Sequence, residues 1–566
     1  MRETAPTIGA IMAHQADTIG SRPAFTFLPE RNGEPKTLSF AALDSQARTL
    51  AFRLLAHAVP GDRAVLLFNP GLDMVVALLA CLAAGIVAVP LMMPRRTGAR
   101  DSSVAVLDDC APRLALTTAD LMATRPDVVE RYQDRLCWLA VDAPGDATAR
   151  DFPKLARHDL AVLQYTSGST STPKGVMVSH GNFLANQAMI RRALNNTDRS
   201  TTVGWVPLFH DMGLVMQVMQ PLYNGAHSIL MPPAAFMQRP LSWLRAISTY
   251  RAEVTSAPNF AFDLCAARCR PEQMDGIDLS CLRVVLNGAE PVHAPTIARF
   301  AETFGSYGFD PTAMYPSYGL AEGTLLVTGA GRGDGPSSRA FSRAGLQAGR
   351  VVPPADPADA QDWVACGRAM VGERVAVVDP EAYVLRQANH VGEIWVHGPN
   401  VAQGYWQKPD ATAAIFRATI SDGDGAYWLR TGDLGFLDEA GVLFITGRIK
   451  DLIVIRGANH YPQDIERTVQ DAHPALQPDG GAAFSITAAD GAERVVVVHE
   501  IARTQRHALE TDAIVASIRA AVTAGHEIAL HEIVLIRPAT LPKTTSGKVQ
   551  RSLARLQWQE GSLARV

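Results

Sequence analysis

The chain has 566 residues, 47% of them apolar and 19% charged, with a formal net charge of −4. That length exceeds what one hydrophobic core organises, so two or more domains are expected, and the composition excludes a disordered or fibrous chain. The near-balanced charge gives no reason to expect nucleic acid or an anionic membrane as partner.

The first twenty residues mix acidic and polar side chains where a signal peptide needs a continuous apolar core. Residues 38–58 read as an amphipathic helix opened by Ser39, with Leu43, Ala47, Leu50, Leu54 and Leu55 on one face. Arg63 to Phe68 reads as a strand and Met74 to Ala83 as the helix after it. The run Met74 to Pro90 has 17 residues without a charge, at the short end for a membrane span. Gly85 followed by Ile-Val-Ala-Val-Pro divides it into a helix, a turn and a buried strand, so no membrane span is expected. Further strands are expected at 113–116, 136–141 and 161–163, and this alternation argues for an α/β sheet covered by helices. Seven scattered cysteines include no C-x-x-C pair and read as reduced thiols of a cytoplasmic protein. Cys265 and Cys269 stand four apart without a second ligand pair, which argues against zinc.

The most informative stretch is LQYTSGSTSTPKGVMVSHGN, Leu163 to Asn182. From Thr166 to Gly175 every residue but Lys174 is Gly, Ser, Thr or Pro. Small residues let backbone N–H groups and hydroxyls converge on an anion that Lys174 can neutralise. Lys174 is followed by Gly175, so the Walker A spacing is absent. A Ser/Thr linker would not normally sit between two apolar segments such as 161–163 and 176–178.

Five more segments follow. WVPLFHDMGL places His210 and Asp211 in apolar surroundings. Met212, Met216, Met219, Met231, Phe236, Met237, Trp243, Phe260 and Phe262 then crowd together, which suits either an alkyl chain or a Met-rich core. VVLNGAEPV turns at Asn287, Gly288, Ala289 and Glu290, and MYPSYGLAEGT contains Tyr318, Gly319, Leu320, Ala321 and Glu322. Residues 329–362 are rich in Gly, Ala, Pro, Ser and Asp, yet Phe341, Leu346, Val351, Val352 and Trp363 are spaced through and beside them. The triplet Arg332-Gly333-Asp334 there reads as a chance match to an adhesion motif. WLRTGDLGF supplies Asp433, and GRIKDLIVIRGANHYPQDIE brings Arg448 and Lys450. Beyond it, 451–455, 482–487, 494–500 and 533–536 read as strands, with Asp490-Gly491 as a hairpin turn. Ile514, Val515, Ile518, Ala521 and Val522 share a helical face, so the chain ends in a compact α+β unit. LPKTTSGKVQR places Lys548 in a small-residue loop.

In this order the segments resemble the adenylate-forming superfamily of acyl-CoA synthetases, luciferases, amino-acid adenylation domains and fatty acyl-AMP ligases, over about residues 160 to 551. The resemblance implies a large α/β N-terminal adenylation domain, 1–448, and a small mobile α+β C-terminal domain, 449–566. It implies that Thr166, Ser167, Gly168, Ser169 and Thr170 bind the ATP phosphates with Lys174, although many members have Gly where this chain has Ser171. By the same resemblance Asn287 to Glu290 cup the adenine, Tyr318 stacks on it beside Gly319, Leu320 and Ala321, and Glu322 helps hold Mg²⁺. Asp433 would accept from the ribose hydroxyls, Arg448 would contact ribose or phosphate, Lys450 would be the hinge, and His210 would lie near the substrate carboxylate. Lys548 would be the catalytic lysine.

HDMGL, NHYPQDIE and the position of 329–362, where fatty acyl-AMP ligases carry an insertion, point to that branch. The implied activity is ATP-dependent conversion of a medium- or long-chain fatty acid to acyl-AMP. The acyl group would then pass to the phosphopantetheine of a holo acyl carrier protein or of a polyketide or peptide synthase carrier domain. A fatty acyl-CoA synthetase and a catalytically silent acyl- or nucleotide-binding protein are the competing readings. Asp211 raises the amino-acid adenylation domains, which use an Asp in this segment to bind the substrate ammonium.

Overall fold

The computed structural model describes every residue except 1, 31–32, 95–101, 144–150, 166–172, 456–457, 489–492, 506–509 and 545–546. Two large sheets form. One has six strands in the order Cys137–Ala140, Leu114–Thr117, Arg63–Leu67, Val87–Leu91, Leu160–Tyr165 and Gly175–Ser179. All its neighbours are parallel except the last pair. The other has nine, from Arg368–Ala369 through Leu326–Gly329, Met314–Gly319, Val284–Asn287, Val254–Ala257, Thr202–Gly204, Ser228–Leu230 and Pro23–Phe27 to Lys36–Ser39. Its interior is parallel and its edges antiparallel.

The 17-residue apolar run is explained by its place between these sheets. Helix Leu72–Ala84 touches strands of both, and Ala77, Leu79, Ala80 and Cys81 are inaccessible to solvent. A helix covered on two sides must be apolar almost all round. Gly85 ends it in the left-handed conformation at φ 70°, where glycine carries no Cβ penalty, and Val87–Leu91 follows as a fully buried strand. No helix among the described residues is long and apolar enough to cross a membrane. The helix expected from 38 is Phe40–Leu55, and the Ser39 side chain caps it by accepting the N–H of Ala42 at 3.2 Å.

Past residue 450 the chain builds a smaller α+β unit. Leu476–Thr487 and Glu493–Ile501 pair antiparallel, and Leu530–Ile536 adds parallel to the second. Successive side chains of Glu493–Ile501 serve opposite faces. Val495 and Val497 pack on Ile465, Ile514, Ile518 and Val522 of helices Pro462–Asp471 and Thr511–His526. Val496 and Val498 pack with Ala554 of helix Arg551–Gln559. The Asp490-Gly491 turn lies outside the described residues, though the strands flanking it pair as a hairpin, Thr487 opposite Glu493. The strand expected over 451–455 is shortened to Ile453–Ile455, because Ile449–Asp451 coils into one 3₁₀ turn.

Residues 329–362 are not a bare linker. Ser338–Ser342 pairs antiparallel with Ala360–Val364 around helix Arg343–Gln347. Phe341 stands edge-on to Phe436 and Phe444, with centroids 5.3 and 5.4 Å away, and Leu346, Val351 and Trp363 are buried in the same cluster. Val352 differs from the others in being 44% exposed. The hairpin also reaches the C-terminal unit. Trp363 meets Tyr461 edge-on at 6.2 Å, and Arg343 Nη1 donates to the Gly525 carbonyl at 2.6 Å. Arg332 donates to the carbonyls of Leu194 and Asn195 at 2.7 and 2.8 Å, so the adhesion-like triplet has a structural use.

Candidate active site

The site forms where the C-terminal ends of several parallel strands meet the C-terminal unit, the usual place for ligands in α/β sheets. Leu160–Tyr165 leads into the small-residue segment, of which Thr166 to Thr172 lie outside the described residues. Before that break, Gln164 Nε2 donates to the Phe209 carbonyl at 2.7 Å, tying the strand end to the loop that presents His210.

His210 caps the short helix Asp211–Leu214. Its Nδ1 lies 2.7 Å from Asp211 Oδ1, and the Met212 N–H points at the same carboxylate oxygen at 2.7 Å. Burial would raise the Asp211 carboxyl, but His210, Lys548 and the Met212 N–H outweigh it and hold it down to about 2. Beyond Leu214 the helix widens into a π turn, Val215–Met219, of the kind frequent at functional sites. Gln217 there donates to the Val206 carbonyl at 3.2 Å and braces the His210 loop from behind.

Asn287 ends a central strand and its amide donates to Asn259 Oδ1 at 3.3 Å. At Gly288 a Cβ would meet Ser317 Oγ at 2.9 Å, and Ala289 takes φ +67°, a costly conformation for a residue with a side chain. This turn points Glu290 inward, where Oε1 accepts the Phe260 N–H at 2.6 Å. Burial pushes the Glu290 carboxyl up to about 7, with the Phe260 N–H pulling against it.

Tyr318, Asp433 and Arg448 form one chain of bonds. The Tyr318 hydroxyl donates to Asp433 Oδ2 at 2.8 Å and Arg448 Nε to Oδ1 at 2.7 Å. Asp433 raises the Arg448 guanidinium further, and burial raises the Tyr318 phenol, so both remain donors. At Gly319 any Cβ would overlap the Leu325 carbonyl. Leu320 and Ala321 then turn the chain so that Glu322 is half-buried, with Oε1 accepting from the Tyr405 hydroxyl at 2.8 Å. Burial raises the Glu322 carboxyl. Lys174 Nζ lies 5.0 Å over the face of the same Tyr405 ring.

Lys548 arrives from the C-terminal unit. Thr544 and Lys548 close its loop, the Thr544 N–H donating to the Lys548 carbonyl at 2.7 Å and the Lys548 N–H to Thr544 Oγ1 at 3.0 Å. Gly547, at φ +90°, leaves a built Cβ only 3.0 Å from the Phe260 ring, so the loop lies directly on the segment that holds Glu290. Burial lowers the ammonium, while Asp211, Glu290 and Asp433 attract it and Arg448 opposes them. Lys450 sits in the 3₁₀ turn Ile449–Asp451, also lowered by burial. The structure thus links Lys174 to Glu322 through Tyr405 and Tyr318 to Arg448 through Asp433, and brings Lys548 within electrostatic reach of Asp211, the neighbour of His210, and of Glu290 and Asp433.

The Met and aromatic side chains after His210 resolve into core. Met212, Met216 and Met219 pack in one cluster, and Met231, Phe236, Trp243 and Phe262 in another. Trp205 stacks on Phe236 at 3.8 Å, and Met237 is 54% exposed. Gln164 and Tyr405 went unnoticed in the sequence. Tyr405 had a visible signal in Gly404-Tyr405-Trp406, a glycine and two aromatics ahead of Pro409.

Residues 12–406 match the family model described as AMP-binding enzyme, and residues 450–566 the one described as Disco-interacting protein 2-like, AMP domain. The chain belongs to the AMP-binding enzyme family. Among its relatives is the medium-chain-fatty-acid–[acyl-carrier-protein] ligase JamA of Moorena producens, 40% identical over 98% of this chain and 96% of the relative. The long-chain-fatty-acid–AMP ligase FadD32 of Mycolicibacterium smegmatis is 37% identical over 99% and 95%. A crystal structure of the fatty acyl-adenylate ligase from L. pneumophila in complex with acyl adenylate and pyrophosphate superposes with a TM-score of 0.76 at 35% identity, covering 99% of this chain and 97% of the other. This AMP-binding enzyme therefore has fatty-acid AMP ligases among its close relatives in sequence and in fold.

Proposed function

We propose that this enzyme joins a medium- or long-chain fatty acid to AMP at the expense of ATP, releasing pyrophosphate, and then passes the acyl group to the phosphopantetheine thiol of a carrier protein. The observation that carries the reading is the Lys548 loop, whose Gly547 lies against Phe260 beside Glu290, in the field of Asp211 and Asp433 and alongside the Tyr318–Asp433–Arg448 chain. An ammonium fixed there can stabilise charge that develops as the fatty carboxylate attacks the α-phosphate and pyrophosphate leaves. Each Asp433 oxygen accepts one protein hydrogen bond and keeps a lone pair for a ribose hydroxyl. Tyr318 and the Asn287–Glu290 turn bound the space for adenine, and Lys174 with Thr166, Ser167, Gly168, Ser169 and Thr170 takes the phosphates.

Mg²⁺ fits the residues present. Glu322 is a half-buried carboxylate that accepts from the Tyr405 hydroxyl, and no cluster of three acidic, His or Cys ligands occurs among the described residues. One carboxylate beside substrate phosphates is how Mg²⁺ is commonly held. When bound it would neutralise phosphate charge. Asp211 Oδ1 already lies 2.7 Å from His210 Nδ1 and takes the Met212 N–H, which favours an acid without an ammonium. Residues 449–566 act as the moving unit, with Lys450 as hinge.

The test is mass spectrometry of products from ATP, a fatty-acid mixture, coenzyme A and a holo carrier protein. Acyl-AMP and acyl-carrier product are expected. Acyl-CoA as the main product would replace this reading with the acyl-CoA synthetase one. Lys548→Ala should lose acyl-AMP formation by about a hundredfold or more, as removal of a charge-stabilising group does. Unchanged pyrophosphate release in that variant would sink the role of Lys548.

A further inference from the structure

We propose that Asp109 and Lys408, working through Tyr165, are positioning residues that fix Lys174 and Gly175 for ATP. This inference rests on the reading that Lys174 meets the phosphates.

Three elements far apart in sequence converge here. Tyr165 ends its strand directly opposite Gly175, and a Cβ built on Gly175 would lie 2.8 Å from Tyr165 Cζ, so the phenol ring lies flat against the glycine. The Tyr165 hydroxyl donates to Asp109 Oδ2 at 2.6 Å. Asp109 belongs to helix Ser102–Cys110, and its other oxygen takes the Lys408 ammonium. Lys408 in turn follows the segment that flanks Gly175 from the opposite side. The Trp406 N–H donates to the Gly175 carbonyl at 2.8 Å, and the Tyr405 ring carries Lys174 Nζ at 5.0 Å. Tyr405 is itself fixed, its N–H donating to Thr412 Oγ1 at 2.9 Å and its ring edge-on to Phe416 at 5.0 Å. Lys174 and Gly175 are therefore held between two rings, and the Asp109–Lys408 pair ties the two supports together.

The pair is shielded, with side chains 12% and 22% exposed. Screening is weak at such a site, and losing one partner leaves the other charge poorly solvated. A simple surface tether would not need a phenol hydrogen-bonded to the same carboxylate. Burial raises the Tyr165 phenol, so it remains a donor.

The experiment measures ATP affinity by calorimetry and the separate KM values for ATP and fatty acid, on the full chain, for Lys408→Met, Lys408→Arg, Tyr165→Phe and Lys174→Ala. Lys408→Met should weaken ATP about tenfold and leave the fatty-acid KM unchanged. Lys408→Arg should restore most of the loss, because the ion pair is kept. Tyr165→Phe keeps the ring on Gly175 and removes one hydrogen bond, so it should fold and weaken ATP about threefold. If Lys174→Ala weakens ATP but folded Tyr165→Phe and Lys408→Met bind it like wild type, the clamp is wrong. Equal losses for ATP and fatty acid would also overturn it, marking a general structural role. If Lys174→Ala leaves ATP binding unchanged, the phosphate reading of Lys174 fails, and the clamp with it.

Discussion

At the scale of single residues, buried carboxyl groups divide by what surrounds them. Asp211 is held down to about 2 by His210 and Lys548 against its burial, whereas Glu373 is pushed up to about 8 by burial, with only the Asn400 amide, 2.8 Å from Oε1, pulling the other way. Glu373 Oε2 has no partner among the described residues, so the neutral acid suits the site. Its folded pKa lies above the ordinary 4.5. Its contribution is therefore complete below about 4.5 and is lost as pH rises towards about 8, with a slope approaching 1.4 kcal/mol per pH unit. Glu373→Gln keeps the shape without the titration. Thermal melts of the two proteins from pH 5 to 9 should nearly coincide at the acid end and diverge progressively as pH rises, the variant melting higher, until the gap levels off above about pH 8. Parallel curves across the range would mean that Glu373 is charged or solvated at neutral pH.

At the scale of elements, hydrophobic period made the secondary structure legible, and small-residue motifs marked the site. Phe40–Leu55 and Leu72–Ala84 were readable because their apolar patterns reflect what covers them, one face in the first case and nearly all round in the second. Tyr318, Asp433 and Arg448 could be named from the sequence only by resemblance, since their mutual bonds join strands 115 and 15 residues apart. Asp109 and Lys408 were illegible for the same reason in stronger form. They stand 299 residues apart, and each looks like an ordinary surface charge until the fold pairs them. Hairpin 338–364 was partly legible. Its Gly, Pro and Asp content suggested a loop, while Phe341, Leu346, Val351 and Trp363 indicated that something must bury them. Phe341 is partly buried between two rings, so Phe341→Ala should cost about 2 kcal/mol of local docking. Hydrogen exchange should then rise across 338–364 while acyl-AMP formation stays near wild type. Unaltered exchange would show that the hairpin is held elsewhere.

At the scale of the whole molecule, that hairpin holds both units. Phe341 anchors it on the strands that carry Asp433, while Arg343 bonds the Gly525 carbonyl and Trp363 meets Tyr461 on the far side. Asp464 faces the hairpin as well, its carboxyl pushed up to about 6 by desolvation with Gln361 and Arg343 of the hairpin opposing. On the proposed function Lys548 would serve adenylation, and exposing the acyl-adenylate to a thiol would then require the C-terminal unit to turn about the Lys450 region. A hairpin fixed to both units resists that turn, and a carrier protein that binds the small unit has contact energy to overcome the resistance, whereas free coenzyme A has far less. Replacing roughly half of 329–362 by a short Gly/Ser link should therefore leave acyl-AMP formation intact and add acyl-CoA formation. Arg343→Ala should move in the same direction by a smaller amount. The comparison is product identity at equal protein and coenzyme A. If the shortened variant folds and adenylates but still refuses coenzyme A, the restraint lies in the thiol's route to the site, and the hairpin serves stability alone.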